Sequence, residues 1–297
     1  MERHRHSIDH SDHAHGYGHG HSHHHHGHSA SDHLHEYGRE VTDPALTPVQ
    51  GSFILIRPAS GLSGDMLVAG LARLACVEND ELSAFAAGIG LPEGCIRLER
   101  RAVNEVYGWA CRVSLPHEHS HRTLNDIRRI IFAAETMSPR ARQLAEVSFT
   151  LLAEAEGRIH GIPTEAVTFH EVGALDSILD MCLACILFDR MDPTELVCGP
   201  LPLCDGTIRC SHGLLPAPAP AVLDLIQGMP VRGIPSEGET VTPTAIALLK
   251  GLGARFGPWP SMTVSRTALV FGTRILPDVA NGALFALGNG PIRTLSC

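Results

Sequence analysis

The chain has 297 residues and a mass of 31.9 kDa, with 44% hydrophobic and 19% charged residues, a globular composition long enough for one large core. Acidic residues number 32 against 23 basic ones, a net charge of −9, and Lys250 is the sole lysine. The acidic balance excludes a protein that grips nucleic-acid phosphates, and no Gly-x-x-x-x-Gly-Lys-Ser/Thr run exists, which excludes the P-loop nucleotide hydrolases.

In chain order, residues 1–38 come first, and 14 of the 20 histidines lie between His4 and His35 among Gly, Ser and Asp. This stretch has no apolar periodicity, so residues 1–50 read as a disordered, histidine-rich metal-binding tail and linker. Its imidazoles suit Ni²⁺, Zn²⁺ or Cu²⁺, and a purification tag is the blander account of them. Phe53–Ile56 has the pattern of a buried strand, followed by Ser60-Gly61-Leu62-Ser63-Gly64-Asp65 opening a helix to about Ala75. Strands are expected at Ile96–Val103 and Trp109–Leu115, then a helix from about Arg122. A second helix starts at Ser138-Pro139, an N-cap with proline at the first helical position, and ends at His160-Gly161. A helix to about Asp189 follows Gly173, then strands at Glu195–Cys198 and near Thr207–Cys210. Helices through Ile226 and from Thr242-Pro243-Thr244 to Gly251 come next, and strands at Met262–Val270 and Ala283–Leu287 finish the chain. Alternating strands and helices make the class α/β, with mixed α+β as the alternative: a layered sheet-and-helix domain over 51–290.

The apolar run near Ile178–Phe188 is interrupted by Asp180 and falls short of the roughly 20 residues that a membrane span needs. No apolar leader segment is visible, and nine scattered cysteines read as reduced thiols of a cytoplasmic protein.

Several groups could carry chemistry. The turn at Gly61–Gly64 offers helix N-terminal N–H groups to a phosphate, with Asp65 tolerable there only if a divalent cation sits between. The simpler account, which takes precedence on this segment alone, makes Ser63 the N-cap and Asp65 a stabilising first-turn acid. Glu156 and His160 share a helix face, and Asp176 and Asp180 repeat the four-residue spacing on the next helix, just after His170-Glu171. These groups could converge on one metal; alternatively Glu156 and His160 are a solvated pair. Asp176 and Asp180 stand in an otherwise apolar helix, where a carboxylate needs a partner. Cys182-x-x-Cys185 reads as two small buried hydrophobes. Cys204, Cys210 and His212 leave a mixed Cys/His site open, and His117-x-His119-x-His121 is either a one-sided imidazole row or a solvated loop.

Five motifs then stand together in order: Ser-Gly-Leu-Ser-Gly-Asp-Met (60–66), Ala-Glu-Ala-Glu-x-x-Ile-His-Gly (153–161), Phe-His-Glu-Val-Gly-Ala-Leu-Asp-Ser-Ile-x-Asp (169–180), Ser-His-Gly-Leu-Leu-Pro-Ala-Pro-Ala-Pro-Ala (211–221) and Val-Thr-Pro-Thr (241–244). Over roughly residues 52–290 the chain resembles the LarC family of nickel insertases, which complete the nickel-pincer nucleotide cofactor of lactate racemase and related enzymes. The resemblance implies a lyase-class enzyme that inserts Ni²⁺ into pyridinium-3,5-bisthiocarboxylic acid mononucleotide, forming two Ni–S bonds and one Ni–C bond. It also implies cleavage of CTP, with Mg²⁺ or Mn²⁺ required. On this reading Ser63 and Gly64 bind the substrate phosphate with Asp65 through a cation. Glu156, His160, His170, Glu171 and Asp180 hold metal, while Asp176 and His212 act on the reacting ring, His212 as proton acceptor. The histidine tail raises the local nickel supply. The family usually reads His-Phe-His-Glu where this chain has Thr168-Phe169-His170-Glu171, and Thr-Pro-Thr-Gly where it has Thr242-Pro243-Thr244-Ala245. Full-length members continue into a CTP-binding half, so this sequence reads either as the first half of such an enzyme or as a degenerate paralogue; on the first reading the partners are the dithio-nucleotide, a C-terminal CTP-binding fragment and other copies of a homo-oligomer. A non-catalytic nickel storage or delivery protein is the rival reading, and a metal-dependent hydrolase, which lacks a nucleophile motif here, is the third.

Overall fold

A computed structural model describes residues 50–116, 121–169, 173–210, 212–277 and 279–291. The first strand, β1 (Gln50–Pro58), carries the Phe53–Ile56 run and has neighbours on both sides, which is why it is apolar without alternation. Ile54 and Ile56 face the main core, while Phe53 and Leu55 pack on the opposite face of the sheet with Val197 and Ala286. The chain continues through α1 (Gly64–Ala75), α2 (Asn79–Gly88), β2 (Ile96–Val103), β3 (Val106–Val113) and β4 (Arg122–Thr123). Three helices follow: α3 (Leu124–Ala133), α4 (Pro139–His160) and, after a 3₁₀ turn and β5 (Thr168–Phe169), α5 (Leu175–Met191). Then come β6 (Glu195–Cys198), β7 (Leu201–Asp205), β8 (Thr207–Cys210), β9 (Gly213–Pro216), α6 (Pro220–Leu225), β10 (Val231–Glu237), α7 (Pro243–Gly251), β11 (Arg255–Phe256), β12 (Thr263–Val270) and β13 (Ala283–Pro291).

The main sheet has the order β11-β6-β1-β13-β12-β3-β2 and is mixed. β1, β6 and β11 run parallel, β13 is antiparallel to both β1 and β12, and the β2–β3 hairpin closes the far edge. Helix α1 lies across β3, β12 and β13, α5 packs on α1, and α4 packs on α5, α6 and α7. This is the mixed α/β layering that the sequence pattern predicts. Helix α5 buries residues around its whole circumference from Ile178 to Phe188, because it runs between α1 and α4 rather than over the surface.

The helix starts follow their local chemistry. The Ser138 hydroxyl accepts from the Ala141 N–H at 3.0 Å, Thr123 and Asp126 form a reciprocal capping box, and Thr242 accepts from Ala245 at 3.3 Å. Ser63 corrects one expectation. It occupies the N-cap position of α1 with extended backbone, but its hydroxyl makes no cap bond and donates to the Asp65 carboxylate instead. Seven elements, α2, β4, β5, β7, β9, β10 and β11, have no counterpart in the sequence-based expectation. Helix α2 buries only Leu82 and Ala86 and so lacks a continuous apolar stripe, and β7 and β10 pair solely with each other around Pro202 and Pro235. Among the described residues no helix is long and apolar enough to cross a membrane.

Candidate functional site

Four helix N-termini gather above the C-terminal end of β1. Loop 59–63, which leads into α1, is stitched to the segment before α7: the Leu62 N–H donates to the Thr240 carbonyl at 2.9 Å and the Thr242 N–H donates to the Leu62 carbonyl at 3.0 Å. Gly61 permits that approach, since a Cβ on it would stand 2.2 Å from the Thr240 oxygen. The N-terminal residues of α5 (Ala174, Asp176, Ser177), α6 (Ala219, Pro220, Ala221) and α7 (Thr242, Pro243, Thr244) then line a cavity of about 620 Å³. Its other walls are the C-terminal turn of α4, with Glu156, Ile159 and His160, and the β8–β9 hairpin, with Ile208, Cys210, His212 and Leu215. The first-turn N–H groups of α5 and α7 therefore stand at a rim that also carries the carboxylates Glu156, Asp176 and Glu239.

A second cavity of about 290 Å³ shares Glu239 and Thr242 with the first and is lined by Ser60, Ser63, Thr240, Thr273, Arg274 and Asn281, with backbone from Gly61, Gly272 and Gly282. Its wall is held by arginines. Arg101 donates to the carbonyls of Gly272 and Thr273, the latter at 3.0 Å, and Arg274 donates to those of Glu237 and Glu239, the latter at 3.1 Å.

On the first cavity's wall, His160 Nε2 lies 3.4 Å from a Glu156 carboxylate oxygen, as the four-residue spacing requires. The sequence alone could not show that His212, fifty-two residues further on, reaches the same place, with ring centres of His160 and His212 5.0 Å apart. Asp176 lines the same cavity, its Oδ1 accepting the Ser177 N–H at 2.7 Å.

Asp65 and Asp180 behave differently from the other predicted residues and line neither cavity. Asp180 lies against the start of α1, where a Cβ on Gly64 would fall 2.9 Å from its Oδ2 and 3.0 Å from its Cβ. Its Oδ1 is buried without a hydrogen-bond partner. Burial, with the negative charges of Asp65 and Asp176, pushes the Asp180 carboxyl well above the usual carboxylate range. Burial also raises Asp65, opposed by hydrogen bonds from Ser63 and the backbone and by the charge of Arg101. Glu156, His160 and Asp176 line one cavity, but among the described residues no three of these side chains gather closely enough to hold one ion, and Asp180 lies against α1 instead. His170 and Glu171 lie outside the described residues, as do His117 and His119. Cys182 and Cys185 are buried in α5, and Cys204 donates to the Gly238 carbonyl at 2.8 Å. Cys210, which the spacing left open, does line the larger cavity. Among the described residues no three His, Cys, Asp or Glu side chains already close around a metal ion.

Fold and cavity together define a mixed α/β protein whose larger cavity is lined by imidazoles and carboxylates, with no thiolate cage among the described residues. The profile of the nickel insertion protein family matches residues 54–291, and the chain belongs to that family. A relative from Syntrophotalea carbinolica is 38% identical over 233 residues, 77% of this chain and 58% of the relative. A pyridinium-3,5-bisthiocarboxylic acid mononucleotide nickel insertion protein from Staphylococcus epidermidis is 31% identical over 215 residues, covering 72% of this chain and 54% of its own. A protein of the same name from Geobacillus kaustophilus is 41% identical over 170 residues, 57% of this chain and 41% of its own. The chain spans about three-fifths of the length of the first curated relatives it matches. No solved structure matches it significantly.

Proposed function

We propose that this chain forms the nickel-handling part of an insertase that places Ni²⁺ into pyridinium-3,5-bisthiocarboxylic acid mononucleotide at the expense of CTP, a step in making the nickel-pincer cofactor of lactate racemase-type enzymes. The observation that carries this reading is the larger cavity, where Glu156, His160, His212 and Asp176 meet three helix N-termini. The substrate is an anionic dithio ligand with a phosphate, and the helix N-termini at the rim offer N–H groups to its oxygens. Nickel that must be handed to sulfur is better held by exchangeable imidazole and carboxylate donors than by a closed thiolate cage. The smaller cavity, with the Ser63–Gly64 turn, takes the phosphate end, and His170 and Glu171 complete the metal-holding set.

When the ring C–H gives way to Ni–C, the bonding electron pair goes to the metal and the proton goes to a base. Asp176, on the cavity wall, is the group assigned to accept it. A hard divalent cation, Mg²⁺ or Mn²⁺, would screen the phosphate charge. Asp65 and the unpartnered carboxylate oxygen of Asp180 are the oxygen donors that would hold such a cation, which would have to displace the protons that burial keeps on them, since neither residue lines a cavity. The reaction is assigned to the cytoplasm.

The test is nickel insertion by the full chain with the dithio-nucleotide, CTP and Mg²⁺, followed by cofactor absorbance, with and without a C-terminal CTP-binding fragment. Turnover in either arm, lost in Asp176→Asn and His170→Ala, supports the reading. No turnover in both arms favours the rival, a nickel storage or delivery protein, which has no use for Asp176 and Asp180 in an apolar helix.

A further inference from the structure

We infer that His160 and His212 are joint ligands of the incoming nickel ion, forming an open docking site between the last turn of α4 and the β8–β9 hairpin, and that His212 is therefore a metal ligand and not the proton acceptor. The inference rests on the nickel reading above and deepens it by fixing where the ion lands. The two residues come from elements far apart in sequence, yet their ring centres are 5.0 Å apart with the planes tilted by 38°. Two imidazoles bound to one ion through nitrogens at about 2.1 Å, with about 100° between the bonds, have ring centres about 5 Å apart.

The surroundings agree. The Glu156 carboxylate oxygen, 3.4 Å from His160 Nε2, is at the separation of two donors on one ion, and it can equally hold the imidazole in the tautomer that binds metal. Cys210 lines the same wall and adds a softer donor at its edge. With His160 and His212 as its protein ligands, the ion would keep coordination positions for the two sulfurs and the carbon of the substrate. Ni²⁺ bound to His212 occupies the lone pair that a base would need. Asp176, across the same cavity, is left to take the ring proton. Both imidazoles are reachable from solvent: the His160 side chain is 32% exposed and His212 is exposed at its turn.

The full chain carries other imidazoles, so the experiment must resolve individual residues. Diethylpyrocarbonate modification of the full chain, mapped by mass spectrometry while Ni²⁺ is titrated, gives that resolution. We expect Ni²⁺ to slow modification of His160 and His212 at least ten-fold with one shared midpoint. In His212→Gln the midpoint for His160 should move at least ten-fold higher, and in His160→Gln that for His212 should move likewise, with far-UV circular dichroism confirming that each variant folds. The inference is overturned if Ni²⁺ leaves both wild-type rates unchanged, or if either histidine keeps its midpoint when the other is replaced. Reciprocal protection without nickel insertion upholds the docking site and sinks the insertase reading; insertion without protection does the reverse.

Discussion

Gly64→Ala tests the packing that brings α1 and α5 together beneath the cavities. The added Cβ would lie 2.9 Å from Asp180 Oδ2, 3.0 Å from its Cβ and 3.3 Å from its Cγ, all inside ordinary contact distance. The carboxylate can rotate away, but the Asp180 Cβ is fixed to α5, and α1 and α5 share the most extensive helix–helix contact in the protein. The helices must therefore separate by a few tenths of an ångström. Overpacking of this kind costs about 1–3 kcal/mol, and alanine recovers at most about 1 kcal/mol of helix propensity at the first turn. The net loss is about 1–2 kcal/mol, which for a domain of this size lowers Tm by about 2–8 °C. Thermal unfolding of the full chain at neutral pH should be compared for wild type, Gly64→Ala, Asp180→Ala and the double variant. Removing the carboxylate should recover at least about 0.5 kcal/mol of the Gly64→Ala loss, since the two positions touch. An unchanged Tm in Gly64→Ala, or the same loss in both backgrounds, refutes the contact.

Three further predictions rest on separate observations. Asp180 and Asp65 keep their protons in the folded chain above the ordinary carboxylate pKa, so stability from these groups is greatest below about pH 4 and falls as pH rises towards their folded values. Asp180→Asn should therefore gain on wild type as pH rises above about 4 in urea titrations, and a pH-independent difference would contradict the burial argument. Burial pushes the Cys182 and Cys198 thiols up to about 12, so in native protein at about pH 8 iodoacetamide should alkylate exposed Cys76 well before either; labelling in the reverse order would refute this. Arg158 grips Asp224 with two bonds of 3.0 and 2.6 Å, tying α4 to α6 and holding the Asp224 carboxyl below its usual range. Asp224→Ala should cost about 1 kcal/mol at neutral pH. That cost should vanish as wild type is acidified below about pH 4 and Asp224 takes up its proton; a cost unchanged by acid would place it elsewhere.

Much of the scaffold is legible because local chemistry agrees with the fold. Ser138-Pro139 and Thr242-Pro243 mark helix starts by themselves, and β6 coincides with the predicted Glu195–Cys198. Asp180 shows the limit. Its place in an apolar helix announces a constrained carboxylate, but periodicity cannot say whether it faces a cavity or another helix. Helix α5 is buried on every side, so its hydrophobic pattern points nowhere. Cys210 and His212 are illegible for a different reason, since their neighbours on the cavity wall come from α4, some fifty residues earlier.

The sequence by itself determined the class of fold, most helix boundaries and the family, because caps, proline positions and ordered motifs are local and survive translation into structure. It also determined the Glu156–His160 pair, since one helical turn fixes that geometry. Only the tertiary structure decided that His212 joins the pair, that Asp176 shares their cavity, and that Asp65 and Asp180 sit under it between two helices. Those relations depend on how α1, α4, α5 and the β8–β9 hairpin pack, and packing is set by side chains distant in the chain.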